Sequence, residues 1–253
     1  MKALITGASS GIGREIAKYL DSKGYETILV ARRVDRLKEL QESLKNKSEI
    51  YSLDVSNQKD VEKLIDITKD DKNIEILINN AGFGLFGDFD ETPLDRELEM
   101  IDVNIKAVHI LTKEFLIRFK KQNKGYILNV ASSAGFLAGP YLSTYYATKN
   151  YVLRLTEAIN EELRVFSKNV HISALCPGPV DTEFNKVAKG TFNTKPLTPE
   201  YVAKYAVDQM FKNKMIIIPG RMLRLGKFFM RFVPERTLLK FIYSYQKNKT
   251  KNN

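Results

Sequence analysis

The stretch Ala3-Leu-Ile-Thr6-Gly7-Ala-Ser9-Ser10-Gly11-Ile12-Gly13 joins a short apolar run to an amphipathic segment, and its three glycines fall in the junction. A chain that leaves a strand and enters a helix within a few residues needs a tight turn, and a ligand held there needs backbone at close range. The helix that follows offers unpaired N–H groups and the positive end of its dipole. Gly7, Ser9, Ser10, Gly11, Ile12 and Gly13 therefore read as a pyrophosphate cradle. A tight turn without a ligand would use the same glycines; the place directly after the first strand favours a nucleotide. The spacing is G-x-x-x-G-x-G, not the common G-x-G-x-x-G, and no Gly-Lys-Ser/Thr of a nucleoside-triphosphate loop follows.

Outward from this turn, apolar runs rich in branched residues recur at 3–6, 27–31, 49–55, 74–81, 125–132, 170–177 and 215–220. They lack polar alternation, as strands covered by helices on both faces do. Helix-length segments lie between them at 12–23, 34–45, 57–70, 95–121 (with a break), 144–166 and 198–212. Ser56-Asn57 and Thr198-Pro199-Glu200 carry the capping and first-turn residues of helix starts. This alternation predicts the α/β class: a doubly wound, mostly parallel seven-stranded sheet flanked by helices, as a single domain over residues 1–220. No Pro/Gly/Ser-rich linker divides the 253 residues.

The formal net charge of +10 is concentrated at one end. Residues 221–253 hold nine Lys/Arg and one acid, hence +8, and the other 220 residues carry only about +2. In this extension Arg221, Arg224, Lys227 and Arg231 recur at helical intervals among Met222, Leu223, Leu225, Phe228, Phe229, Met230, Phe232 and Val233. Pro234 interrupts the pattern, residues 237–245 form a second apolar segment, and the polar end 246–253 reads as disordered. Neither apolar piece is long enough to span a bilayer. A basic amphipathic extension fits a peripheral contact with an anionic membrane through residues 221–245, a cover over the substrate site, or packing against another subunit. Nucleic acid finds no supporting motif. The single cysteine, Cys176, excludes an internal disulfide, and Met1-Lys-Ala-Leu-Ile5 shows no signal-peptide pattern. The expected location is cytoplasmic, peripheral at a membrane surface if the extension binds one. Cys176, His109 and His171 read as structural, and no metal cluster is expected.

The second strand ends in Val30-Ala31-Arg32-Arg33, where an NAD site would place an acid for the ribose 2′-hydroxyl. Arginine there pairs with a 2′-phosphate, so NADP(H) is expected ahead of NAD(H), with Arg32 favoured over Arg33 and both able to contribute. Downstream, Ser132, Tyr145 and Lys149 supply a hydroxyl, a phenol and an ammonium. Tyr145 and Lys149 lie four apart on a predicted helix and share a face. A phenol with a pKa of about 10 must be lowered to exchange protons near neutrality, and an adjacent cation favours phenolate. Tyr141, Tyr146 and Tyr151 have no lysine four residues on.

In order along the chain, TGASSGIG (6–13), Asp54-Val55, Asn79-Asn80-Ala81-Gly82, Asn104, Ser132, Tyr145-Tyr-Ala-Thr-Lys149 and Pro177-Gly178-Pro-Val180-Asp-Thr182 resemble the motif set of the classical short-chain dehydrogenase/reductase family. The resemblance covers about residues 1–220 and implies a Rossmann fold, a nicotinamide cofactor, a small-molecule carbonyl or alcohol substrate and a homo-oligomer. It implies Tyr145 as general acid and base, Lys149 on the ribose hydroxyls, Ser132 on the substrate oxygen and Asn104 in a proton relay. Asp54 and Val55 would meet the adenine. Asn80, Ala81 and Gly82 would line the cofactor, and Pro177, Gly178, Val180 and Thr182 would contact its nicotinamide side. Segment 183–197 corresponds to the family's substrate-covering loop; with Phe83, Phe86, Phe136, Leu137 and Phe184 it suggests an apolar pocket. A reading from another class is a non-catalytic nucleotide-binding scaffold or sensor whose basic tail meets a membrane or partner; the intact Asn-Ser-Tyr-Lys set argues against it.

Overall fold

The structure is a computed structural model that describes residues 1–184 and 196–250. Seven strands form one parallel sheet: β1 (Lys2–Thr6), β2 (Glu26–Ala31), β3 (Ser48–Ser52), β4 (Ile74–Asn79), β5 (Gly125–Val130), β6 (Val170–Leu175) and β7 (Ile216–Ile217), in the order β3-β2-β1-β4-β5-β6-β7. Each central strand buries both faces. In β1, Ala3 and Ile5 join Leu29, Ile76 and Ile78 on one side, while Leu4 joins Ile28, Leu77 and Ile127 on the other. That two-sided burial removes any need for polar alternation, which is why the strands read as continuous apolar runs.

Helices α1 (Gly11–Ser22), α2 (Val34–Ser43) and α7 (Pro199–Met210) cover the first face through Ile16, Leu20, Leu37, Leu40, Val202 and Met210. Helices α3 (Gln58–Thr68), α5 (Val108–Gln122) and α6 (Ser143–Phe166) cover the other through Val61, Leu64, Phe115, Phe119 and Leu163. Thr198 caps α7 by accepting from the Tyr201 N–H at 3.3 Å, and Asn57 caps α3 by accepting from the Lys59 N–H at 3.0 Å. The break expected within 95–121 is a change of pitch: α4 (Leu94–Ile101) runs through a π-helical turn at Asp102–Ala107 into α5.

Strand order reverses between β1 and β4, so the loops after these two strands diverge and leave a crevice at the carboxyl edge of the sheet. Beneath it a buried polar chain links four elements. The Asn79 amide donates to Thr112 Oγ1 at 3.0 Å and Asn129 Oδ1 at 2.8 Å, and Asn129 donates to Thr156 Oγ1 at 3.0 Å.

Beyond β7, α8 (Arg221–Met230) and α9 (Glu235–Thr250) flank Pro234. The polar end from residue 246, expected to be disordered, continues α9 as far as Thr250, because Ile242 and Gln246 bury one stripe of the helix against the domain. On the outer side Met222, Leu225, Phe228, Phe229, Phe232 and Phe241 are exposed. No helix among the described residues is long and apolar enough to cross a membrane.

Candidate active site

The crevice is a cavity of about 590 Å³ with the glycine turn at one end and Tyr145 at the other. Gly7 takes a φ of +67°, and a Cβ there would lie 2.8 Å from Ala81 Cα, so only glycine lets the turn after β1 approach the turn after β4. Thr6 ties those turns together: its Oγ1 accepts from the N–H groups of Asn80 at 3.0 Å and Ala81 at 3.1 Å. Asn80 Nδ2 donates back to the carbonyls of Thr6 and Gly7, each at 3.1 Å. Gly13 lies behind this contact and not in the cavity wall; a Cβ there would come within 2.3 Å of Asn80 Nδ2.

Helix α1 begins at the turn with no acid in its first turn, and its N-cap residue Ser10 makes no side-chain capping bond. Its positive end is therefore left for an external anion, which is what a dinucleotide pyrophosphate would supply. Gly7, Ser9, Ser10, Gly11 and Ile12 line this end, with Asn80, Ala81 and Gly82 opposite and Pro177, Gly178, Val180 and Thr182 along the side. These residues fit a nicotinamide dinucleotide.

At the β2 end the two arginines diverge. Arg33 Nη2 donates to Ser10 Oγ at 2.8 Å and Ser9 Oγ at 3.2 Å, and Nη1 pairs with Glu183 at 2.8 Å. Arg32, also in the cavity wall, pairs with Glu99 at 3.2 Å and Asp54 at 3.5 Å. Both arginines line the cavity, and Arg33 is the one bonded to the glycine turn. Arg36 also reaches Glu183, and the bonds from Arg36 and Arg33 hold that carboxyl down at about 2. Burial opposes ionisation of Asp54, but bonds from Ser56 and the charge of Arg32 win and keep it below the usual carboxylate range. The Asp54 carboxylate accepts from Ser56 Oγ at 2.8 Å, and both Asp54 and Val55 lie in the cavity wall.

At the other end Ser132 leaves β5, and Tyr145 and Lys149 stand one turn apart on α6, all three lining the cavity. Tyr145 is 9 % exposed and its ring lies 5.3 Å from that of Phe184. Lys149 Nζ donates to the Val130 carbonyl at 2.9 Å and lies 5.9 Å from the Tyr145 ring centre. Burial pushes the Lys149 ammonium down to about 8. Burial also pushes the Tyr145 phenol up, with Ser132 pulling it back and Tyr146 adding to the rise. Burial is the largest influence on the phenol and outweighs the Ser132 bond, so the phenol stands above its ordinary value.

Asn104 sits in the π turn, fully buried and behind the wall. Its amide donates to the Phe83 carbonyl at 2.9 Å and Thr148 Oγ1 at 3.0 Å, and its Oδ1 accepts from the Phe83 N–H at 3.2 Å. Thr148 in turn donates to the Tyr145 carbonyl at 2.7 Å, so Asn104 couples the loop after β4 to the helix that carries the phenol. A π turn widens the helix locally and recurs at functional sites, which suits this position.

Of the apolar set, Phe83, Phe86 and Phe184 line the cavity beside Leu142 and Tyr146. Phe136 and Leu137 do not; Phe136 packs with the cluster of Val152, Leu153 and Cys176, under Lys227 at 4.5 Å. Residues 185–195 of the expected substrate-covering loop lie outside the described residues. Cys176 is buried and its thiol is pushed up to about 12, and His109 and His171 contact the tyrosines Tyr151 and Tyr126. Sequence reading set Tyr146 aside for want of a lysine four residues on, and assigned no role to Thr6, Thr148, Tyr245 or Gln246. Gln246 could have been found from its i, i+4 spacing to Ile242, which carries the buried stripe of the second segment past residue 245.

A glycine turn with a free helix end, facing a buried Ser-Tyr-Lys group across one crevice, defines an α/β oxidoreductase that uses a nicotinamide nucleotide. The family model for short chain dehydrogenases matches residues 1–191, and the chain belongs to the short-chain dehydrogenase/reductase family. It is 35 % identical over 234 residues to an NADP-dependent 3-hydroxy acid dehydrogenase of Schizosaccharomyces pombe, covering 85 % of this chain and 88 % of that one. The fold superposes on a short-chain dehydrogenase from Sphingobium yanoikuyae in complex with NADPH, with a TM-score of 0.81, 28 % identity and coverage of 87 % and 88 % of the two chains. It superposes equally, at 0.81, on a short-chain dehydrogenase/reductase from Burkholderia phymatum in complex with NAD, with 25 % identity and coverage of 89 % and 91 %.

Proposed function

We propose that the protein is an NADP(H)-dependent oxidoreductase that interconverts a carbonyl and an alcohol on an apolar substrate of medium size. The observation that carries this reading is one cavity that joins the glycine turn, with Arg33 bonded to its Ser10, to Tyr145, Ser132 and Lys149. When bound, a nicotinamide nucleotide would supply or accept the hydride and, in its oxidised form, would add a positive charge to the site. In reduction the Tyr145 phenol gives its proton to the carbonyl oxygen as that oxygen becomes an alcohol; in oxidation the phenolate takes it back. The Ser132 hydroxyl donates a hydrogen bond to the same oxygen and steadies its developing charge. Lys149, one turn from Tyr145 and close to neutrality in its own pKa, is suited to bind ribose hydroxyls and pass a proton inward. Asn104 holds the Phe83 backbone and α6 in register.

Arg33 with Ser9 and Ser10 would receive a 2′-phosphate, Arg32 serving as a second cation, and this arrangement supports NADP(H) over NAD(H). Phe83, Phe86, Leu142 and Phe184 give the substrate end its apolar character. On this reading residues 1–220 form the catalytic domain and residues 221–253 an extension. The exposed aromatic and basic face of 221–245 supports peripheral contact with an anionic membrane, with homo-oligomer packing the competing use of the same face.

The test is a panel of ketones and aldehydes assayed with NADPH and NADH side by side, with Tyr145→Phe as control. Turnover lost in the variant with NADPH binding retained supports the proposal. NADPH binding without turnover of any panel member would leave the non-catalytic scaffold reading instead.

A further inference from the structure

Gln246 is 2 % exposed, on a helix whose neighbouring positions 243–245 and 247 are exposed. It lies one turn beyond buried Ile242 on the stripe by which α9 meets the domain. What grips α9 there is a stack of three rings: Phe86 on Tyr141 at 5.9 Å, and Tyr141 on Tyr243 at 5.6 Å. Tyr141 takes a φ of 64°, a left-handed conformation that disfavours any residue with a Cβ, and its carbonyl accepts from the Gly87 N–H at 2.9 Å. A strained residue of the loop leading into α6 thus serves to clamp the C-terminal helix onto the rim of the site.

The clamp sets Gln246 in the cavity wall beside Tyr146, whose ring is 6.2 Å from that of Tyr145. Gln246 Nε2 donates to Tyr146 Oη at 3.3 Å. Gln246 Oε1 is shut off from solvent and has no hydrogen-bond partner among the described residues. A buried amide oxygen without a donor is costly, and an aliphatic residue would fill this stripe without that cost. This end of the cavity holds Phe83, Phe86, Leu142 and Phe184, which offer no donor, with the Arg96 guanidinium 4.9 Å over the Phe83 ring and the Tyr146 hydroxyl on Gln246 Nε2.

We infer that Gln246 is a specificity-determining residue whose side-chain amide turns from the wall into the cavity when substrate binds, its Oε1 then accepting a hydrogen bond from the substrate. The substrate class is then a ketone or alcohol that carries a hydroxyl or N–H group remote from the reacting carbon. The inference rests on the carbonyl-reducing reading of the cavity. It places the polar end of the substrate under α9 and the reacting carbon at Tyr145, with the apolar skeleton along Phe83, Phe86 and Leu142. The C-terminal extension then contributes to substrate choice directly, through one side chain.

The experiment compares matched ketones, equal in skeleton, with and without a remote hydroxyl, on wild type, Gln246→Leu and Gln246→Asn. Wild type is expected to favour the hydroxy ketone at least about tenfold in kcat/KM, mainly through KM, since a site built around a hydrogen bond rejects the analogue lacking it. Gln246→Leu is expected to lose that preference while keeping NADPH affinity. Gln246→Asn, one methylene short, is expected to fall between. Calorimetric binding of the same pair to NADPH-loaded protein gives the same comparison where turnover is absent. Loss of turnover with the binding preference intact sinks the enzymatic reading alone. A Leu variant that is folded by thermal melting and keeps the wild-type preference overturns the inference, as does a wild type with no preference in either assay.

Discussion

Replacing Arg33 with alanine removes the cation that stands against the glycine turn, 2.8 Å from Ser10 Oγ. Its side chain is 45 % exposed, so a bond from it to a phosphate is charge-assisted but partly screened. About 1.5–3 kcal/mol follows for such a bond, and at 1.4 kcal/mol per tenfold the variant should bind NADPH about 10- to 100-fold more weakly. NADH, which has no 2′-phosphate, should keep its Kd within about twofold. Arg32 is 61 % exposed and already shared between Glu99 and Asp54, so Arg32→Ala should cost less than Arg33→Ala. Glu183, held between Arg33 and Arg36, places a carboxylate where it would compete with the phosphate. Glu183→Gln should therefore tighten NADPH binding by a few-fold. Fluorescence titration of both cofactors, at low and high salt, reads all four quantities. Equal losses for NADPH and NADH in Arg33→Ala, or a larger loss in Arg32→Ala, would refute the assignment.

Tyr145→Phe should lower kcat about 100- to 10,000-fold with NADPH binding intact, because only the proton donor is removed; undiminished turnover excludes Tyr145 from the chemistry. Lys149 is held at about 8 against an ordinary 10.5. Between those values the unfolded chain keeps a proton that the folded chain has released, so stability rises with pH across that window. Measured against Lys149→Met by denaturant unfolding, wild type should gain about 2 kcal/mol from pH 8 to pH 10, and a flat difference would show that the ammonium is not desolvated. Gly13→Ala would set a Cβ within 2.5 Å of the Gly7 carbonyl, and should cost at least about 1–3 kcal/mol of stability together with cofactor affinity, read by thermal melts with and without NADPH. Serine at Phe228, Phe229 and Phe232 should abolish co-sedimentation with anionic vesicles; wild type that ignores vesicles but dissociates on the same changes would assign that face to a second copy of the chain.

The elements and their order were legible because the signals are local. Two-sided burial writes itself as apolar runs such as Leu4 to Ile5 and Ile76 to Ile78, and caps such as Asn57 and Thr198 act within one turn of chain. Tyr145 and Lys149 could be paired for the same reason, since four residues on α6 fix their common face. Phe136 was misplaced because an aromatic beside a site motif packs into the core or into the pocket according to a neighbouring helix, and its sequence neighbours do not encode which.

The sequence by itself determined the parallel α/β sheet, the glycine turn and the residue types of the Ser132, Tyr145 and Lys149 group. Tertiary structure decided what depends on distance and desolvation across the chain. It set which arginine faces Ser9 and Ser10, and it set the burial that moves Tyr145 and Lys149 in opposite directions. It also carried Gln246, a hundred residues beyond Tyr146, into the wall of the same cavity. Periodicity and capping act over a few residues and leave their mark in sequence, whereas electrostatics and long-range contact act through space that only the folded chain defines.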